Sequence, residues 1–146
     1  MANITEQKSE AQAAYEEIKS RYLQMQASIK KHFPKVDSRL VRELLMHSAD
    51  ATEGTRLFSL EVLAKEGTNP EKARDYFLSK TGKVPSSYEH GTHYLVNVLL
   101  TFELLQDIQS YPEVEYITGS YVGVTSAVSQ IHYHRGADEQ SRIMDD

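Results

Sequence analysis

Six histidines and no cysteine define the side chains available for chemistry in this 146-residue chain. Metal or proton-transfer chemistry must run through imidazoles and carboxylates, because no thiolate nucleophile or ligand exists. Four histidines, His90, His93, His132 and His134, fall in Val84–His134, a 51-residue stretch without lysine or arginine. All sixteen basic residues lie outside it, and from Ile117 to His134 there is no charged residue at all.

The stretch from Ser86 to about Gln109 is apolar nearly all round if it is wound as a helix, with Leu95, Val96, Val98, Leu99, Leu100, Phe102, Leu104 and Leu105. His90, His93, Asn97 and Thr101 then form one polar stripe within about 80° of each other. His90 and His93, at i and i+3, are spaced to share a divalent metal ion, and Asn97 and Thr101 extend the stripe as ligand-binding groups. The plainer reading of the stripe is the strip of helix that meets water, and a buried hydrogen-bond network is a further alternative. A second set is Glu43, His47 and Asp50. Glu43 and His47 at i and i+4 suit a shared metal, and also a solvated pair on an exposed helix face. His132 and His134 flank Tyr133 and precede Arg135; they point to different sides of a helix and fit cations near a helix C-terminus. His32 ends the basic tract Lys30-Lys31-His32 in the same role.

His90-Gly91-Thr92-His93 and His132-Tyr133-His134-Arg135-Gly136 each resemble part of the histidine motif of the DinB-like four-helix bundles. In that family these histidines bind a divalent metal. The motif is contiguous there, and its pieces are about forty residues apart here. Arg42 and His47, an Arg-x4-His spacing, are similar to the motif of HEPN ribonucleases, although Glu43 follows the arginine here.

Other signatures are missing: a phosphate-binding glycine loop, a nucleophile elbow and an HExxH pair. The net charge of −5 argues against nucleic acid as a partner, because a phosphate backbone needs a basic surface. No apolar run approaches the ~18 residues of a spanning helix, so no membrane segment is expected. The polar N-terminus Met-Ala-Asn-Ile-Thr-Glu-Gln does not resemble a signal peptide. A cytoplasmic location is the expectation.

Length and composition, 40% apolar and 25% charged, suit a single domain over residues 1–146. Residues 1–4 and 137–146 read as flexible tails. Ala14, Ile18, Tyr22, Met25 and Ile29 predict a first helix from about Thr5 to Phe33, ended by Pro34. Asp37 or Ser38 caps a second, carrying Val41, Leu44, Leu45, Phe58 and Val62 and closing at Gly67; its small, polar middle, Ser48 to Thr55, suggests a bend or a close neighbour. Asn69-Pro70 opens a short third helix that Gly82 stops. Ser86 or Ser87 caps the fourth.

In the last segment, Val, Ile, Thr and Tyr favour strands on propensity alone. The 4-3-4-3 spacing of Ile117, Tyr121, Val124, Val128 and Ile131 favours a helix over 112–135 instead. Gly119, Gly123 and Ala127 recur on its opposite face, where small residues allow a second helix to approach. These three, with Tyr116 and Tyr121, are the predicted dimer-interface residues. The expected fold class is therefore all-α: a single-domain bundle of about five helices, four long and one short, with up-down connectivity. The functional expectation is a small soluble helical homodimer acting as a non-enzymatic interaction, adaptor or regulatory protein, with a further protein partner allowed. The alternative is a helical-bundle protein or enzyme that holds a divalent metal or small ligand through the histidine site.

Overall fold

Alternation, and not helical spacing, governs the centre of the chain. In a computed structural model, which describes residues 3–49 and 55–125, the segment Thr55–Ala64 is a strand, β1. Phe58, Leu60 and Val62 are fully buried on one side of it. Leu57, Ser59, Glu61 and Leu63 take the other side, the two-residue period of a strand. The elements in chain order are α1 (Asn3–His32), α2 (Ser38–Ala49), β1, α3 (Pro70–Thr81), β2 (Ser86–Tyr88), β3 (His93–Leu99), α4 (Phe102–Ser110) and β4 (Val114–Thr125).

The chain divides into two compact units, Met1–Pro34 and Lys35–Asp146. The first contains α1, 30 residues long, as the apolar periodicity predicts. Its surface carries i,i+4 pairs, Gln12 with Glu16 and Arg21 with Glu17, each worth a few tenths of a kcal/mol, ~0.2–0.5. Lys30, Lys31 and His32 occupy its last turn, where the helix dipole favours positive charge.

In the second unit the four strands form one antiparallel sheet in the order β2-β3-β1-β4. β3 lies between the parallel strands β1 and β2, and β1 between the parallel strands β3 and β4. The βαββαβ order with these split crossovers is the ferredoxin-like topology. Helices cover one face. Phe77 of α3 packs its ring 5.4 Å from that of Tyr94. Leu105 and Ile108 of α4, and Leu40 and Leu44 of α2, are fully buried. Tyr76 stacks on Tyr111 at 4.0 Å and its hydroxyl donates to the Asp107 carbonyl, tying α3 to the end of α4. The caps of α3 are those expected: Asn69 accepts from two first-turn amides, and Gly82 takes the left-handed conformation at φ 74°.

The all-α, up-down bundle is overturned by this sheet. Three of the five expected helices are the source. The second ends at Ala49, and its supposed continuation is β1. The fourth is β2, a hairpin, β3 and only then α4. The fifth, over 112–135, is β4 as far as it is described. Each error has a physical reason. Tyr94, Val96, Val98 and Leu100 are buried while Leu95, Asn97 and Leu99 are exposed. Leucines on the exposed side disguise this alternation as a continuously apolar helix. In β4, register shifts between Leu57 and Phe58 and between Leu63 and Ala64 break the two-residue period. The strand propensity of Val, Ile, Thr and Tyr there was the better guide.

Gly119 meets Leu60 across the β1–β4 ladder. A Cβ at Gly119 would sit 2.5 Å from the Ser59 carbonyl oxygen and 2.8 Å from Leu60 Cδ2, whereas one at Gly123 would meet nothing within 4 Å. Gly119→Ala should therefore destabilise the protein by about 1–3 kcal/mol in urea unfolding, through overpacking. Gly123→Ala should stay within about 0.5 kcal/mol. Equal effects of the two substitutions would contradict the strand register.

Candidate functional site

The face of the sheet opposite the helices presents the paired side chains of all four strands. Leu57, Ser59, Glu61 and Leu63 face Leu99, Asn97, Leu95 and His93 of β3. Tyr116, Thr118 and Ser120 flank them from β4, and Ser86 and Tyr88 from β2. Leu95, Leu99, Tyr116 and Tyr88 are each about 40% exposed. None of these positions carries a lysine or arginine, and Glu61 is their one acidic side chain. Arg56, the basic residue of β1, shares the alternation of Phe58 and so belongs to the covered side.

At one corner of the open face the β2–β3 hairpin turns through Glu89, His90 and Gly91, all at positive φ (51°, 59° and 78°). Two consecutive non-glycine residues in that region are unusual and cost of order 1 kcal/mol each. Gly91 is needed for contact: a Cβ there would lie 2.9 Å from Pro70 Cγ. Tyr88 stacks on His93 with ring centres 4.7 Å apart, and its hydroxyl donates to Glu61 Oε1. His93 Nδ1 is 3.5 Å from Glu89 Oε2 and 3.0 Å from Thr92 Oγ1. The hydrogen bond to Glu61 pushes the Tyr88 phenol up to about 12, helped by burial and by the charges of Glu61 and Glu89.

The predicted histidine stripe does not exist as one surface. His93 and Asn97 lie on the open face. His90 is exposed at the hairpin turn. Thr101 caps α4, its hydroxyl accepting from the Leu104 amide at 3.1 Å. Glu43 and His47 do come together, but around a predicted dimer residue. His47 stacks on Tyr121 with centroids 3.6 Å apart, and a Glu43 carboxylate oxygen accepts from the Tyr121 backbone N–H at 3.2 Å. Arg56 Nε donates to the His47 carbonyl at 3.2 Å. This cluster holds α2 to β4. Asp50, Ala127, His132 and His134 lie outside the described residues. Among the described residues no group of three or more His, Cys, Asp or Glu side chains is placed to hold a metal ion.

Of the five predicted dimer residues, Tyr116 and Gly123 pair with Leu63 and Leu57 and so share the open face. Gly119 and Tyr121 pair with Leu60 and Phe58 on the covered face, and Tyr121 is 5.5 Å from the Phe58 ring. On the strand Gly119 and Gly123 therefore lie on opposite faces, and not on one side as on a helix. Sequence reading missed Leu57, Ser59, Glu61, Leu63, Leu95 and Leu99 as surface-forming residues. Their signal was the alternation in Arg56–Ala64 and Tyr94–Leu100, masked because both faces contain leucine.

Two measurements check this geometry. Because the folded phenol of Tyr88 titrates above the ordinary value near 10, its hydrogen bond adds stability below about pH 10. That contribution is lost as pH rises through about 12. The 295 nm titration of the wild type minus that of Tyr88→Phe should show a phenol near pH 12, moved toward 10 by Glu61→Gln; a difference curve centred on 10 in the wild type would refute the contact. Tyr94 is 1% exposed and its hydroxyl has no hydrogen-bond partner among the described residues. Burial, with a smaller effect from Tyr111, pushes its phenol up. Tyr94→Phe should leave thermal stability unchanged or raise it by up to about 1 kcal/mol; a loss of 2 kcal/mol or more (roughly the cost of leaving a buried partner unsatisfied) would show that the hydroxyl is bonded.

Among the described residues no helix is long and apolar enough to cross a membrane. No protein-family model, no curated protein and no solved structure matches this chain.

Proposed function

We propose that this chain is a non-enzymatic interaction protein, an adaptor or regulatory module. The open face of its sheet receives a protein partner that is apolar and carries at least one lysine or arginine. One observation carries the reading: a four-stranded face keeps leucines and tyrosines in contact with solvent and, among the described residues paired across it, has one carboxylate and no lysine or arginine. Apolar patches of this kind, with tyrosines and few charges, are typical of interface centres.

The charge pattern favours a different polypeptide over a second copy of this face. Two copies packed sheet to sheet would bring both Glu61 carboxylates toward one dry layer with no cation from either side. Desolvating an unpaired ion costs several kcal/mol. A partner's lysine or arginine offsets that cost at Glu61, and its apolar residues cover Leu95 and Leu99. The histidine-site alternative has the His93–Glu89 contact in its favour. That supplies two donors, fewer than the three protein ligands usual even at an open zinc site.

The test is a photo-crosslinking amino acid placed at Asn97, exposed on the open face, and separately at Lys72, exposed on α3. In the native cell the Asn97 position should give one discrete adduct with another polypeptide, absent from the Lys72 position. Glu61→Lys should lower its yield about tenfold, the equivalent of about 1.4 kcal/mol. No adduct at Asn97, the same adducts at both positions, or an adduct only with a second copy of the chain would each overturn the proposal.

A further inference from the structure

A different surface, on α1, fits a second copy of the chain. Ala11, Tyr15, Ile18, Tyr22, Met25 and Ile29 follow one another at spacings of 4-3-4-3-4. That 3.5-residue period is the a/d seam of a coiled coil, narrower than the face of an ordinary core helix. The seam is open where it is centred: Tyr15 is 57% and Ile18 68% exposed, whereas Ile29 is 6% exposed. A helix of 30 residues is longer than the ~10–14 residues usual in globular proteins. It extends the large side chains of Tyr15, Ile18 and Tyr22 into solvent on successive turns.

Charge along the helix selects the orientation of the partner. Between Ser9 and Glu17 the charged residues are Glu10, Glu16 and Glu17. Between Ile18 and His32 they are Lys19, Arg21, Lys30 and Lys31, all positive. Parallel pairing of two copies sets acidic half against acidic half and basic against basic. Antiparallel pairing about the middle of the seam brings Arg21 within two residues of the level of the other copy's Glu10 and Lys19 within two of its Glu16, with like charges opposed only where Glu16 and Glu17 of the two copies meet at the axis. We infer that two copies of this chain associate by antiparallel pairing of their α1 helices, with the two-fold axis between residues 16 and 17. Tyr15 then packs on Ile18 of the other copy, and the small Ala11 lies opposite the larger Tyr22. The seam spans fewer than three heptads, so association at micromolar concentrations is expected. This interface is independent of the open sheet face: either can hold without the other.

The chain has no cysteine, so single-site spin labelling is unambiguous. Gln12→Cys and Ser28→Cys are exposed, polar positions on α1. At a rise of ~1.5 Å per residue and a helix separation of ~10 Å, antiparallel pairing puts the two copies of residue 12 about 17 Å apart. The copies of residue 28 are then about 36 Å apart. Pulsed dipolar spectroscopy of each labelled full-length protein at tens of micromolar should return a short distance for the first and a long one for the second. Ile18→Asp in the same labelled chains should abolish both. Short distances at both positions would show parallel pairing and overturn the inference. So would the absence of a dipolar signal, or distances that Ile18→Asp leaves unchanged.

Discussion

The second unit depends on β1. It is the strand that pairs on both sides over most of its length, with β3 along Leu57–Leu63 and with β4 along Thr55–Ala64. Phe58, Leu60 and Val62 project from it into the layer beneath the helices with no exposure at all. Each such side chain contributes roughly 1.5–3 kcal/mol of burial. Both split crossovers need this strand. α3 must carry the chain from β1 past β3 to β2, and α4 must carry it from β3 past β1 to β4. Losing β1 would remove the neighbour of both remaining long strands.

Pairing on both sides leaves β1 no free edge, and the outer edges of the sheet are managed separately. β2 is three residues long. Along β4, Val36 bridges to Ile117, with Ile117 N–H donating to Lys35 and Asp37 N–H donating to Ile117. Two residues on from Gly119, the Glu43 carboxylate takes the Tyr121 N–H. A short strand and covered amides discourage edge-to-edge pairing. The open face is therefore the exposed feature of the sheet that edge protection does not address. Its chemistry is internally consistent. Tyr88 reaches across β3 to Glu61, so the carboxylate is partly satisfied and kept at the surface, and the histidine beside it is held by stacking and by Glu89.

Helices with strong end signals were legible in the sequence. Asn69, Pro70 and Gly82 mark α3 by backbone chemistry that does not depend on the rest of the fold, and the periodicity of α1 survives because most of that helix is exposed. The strands were illegible for a specific reason. A sheet with one buried face normally alternates apolar with polar residues, but Leu57, Leu63, Leu95 and Leu99 place leucine on the solvent side too. That gives an apolar run that suits a buried helix equally well. In β4 the register irregularity between Tyr121 and Gly123 turns the even spacing of a strand into the helix-like spacing of Ile117, Tyr121 and Val124. Among the described residues the gap in basic residues falls on β2, β3, α4 and β4, and it leaves the open sheet face free of lysine and arginine. The residues that hid the strands are the ones that now make the candidate site.

Leu57, Leu63, Leu95 and Leu99 belong to an accessible sheet face, while Phe58, Val62, Tyr94, Val96 and Val98 beside them lie in the core. Hydroxyl-radical footprinting of the isolated protein, read residue by residue by mass spectrometry, measures that difference directly. Oxidation should alternate along β3, faster at Leu95 and Leu99 than at Val96 and Val98, and along β1 faster at Leu57 and Leu63 than at Leu60 and Val62. Uniform labelling through Tyr94–Leu100, or labelling that recurs every three to four residues as on a helix, would rule out an open sheet face here.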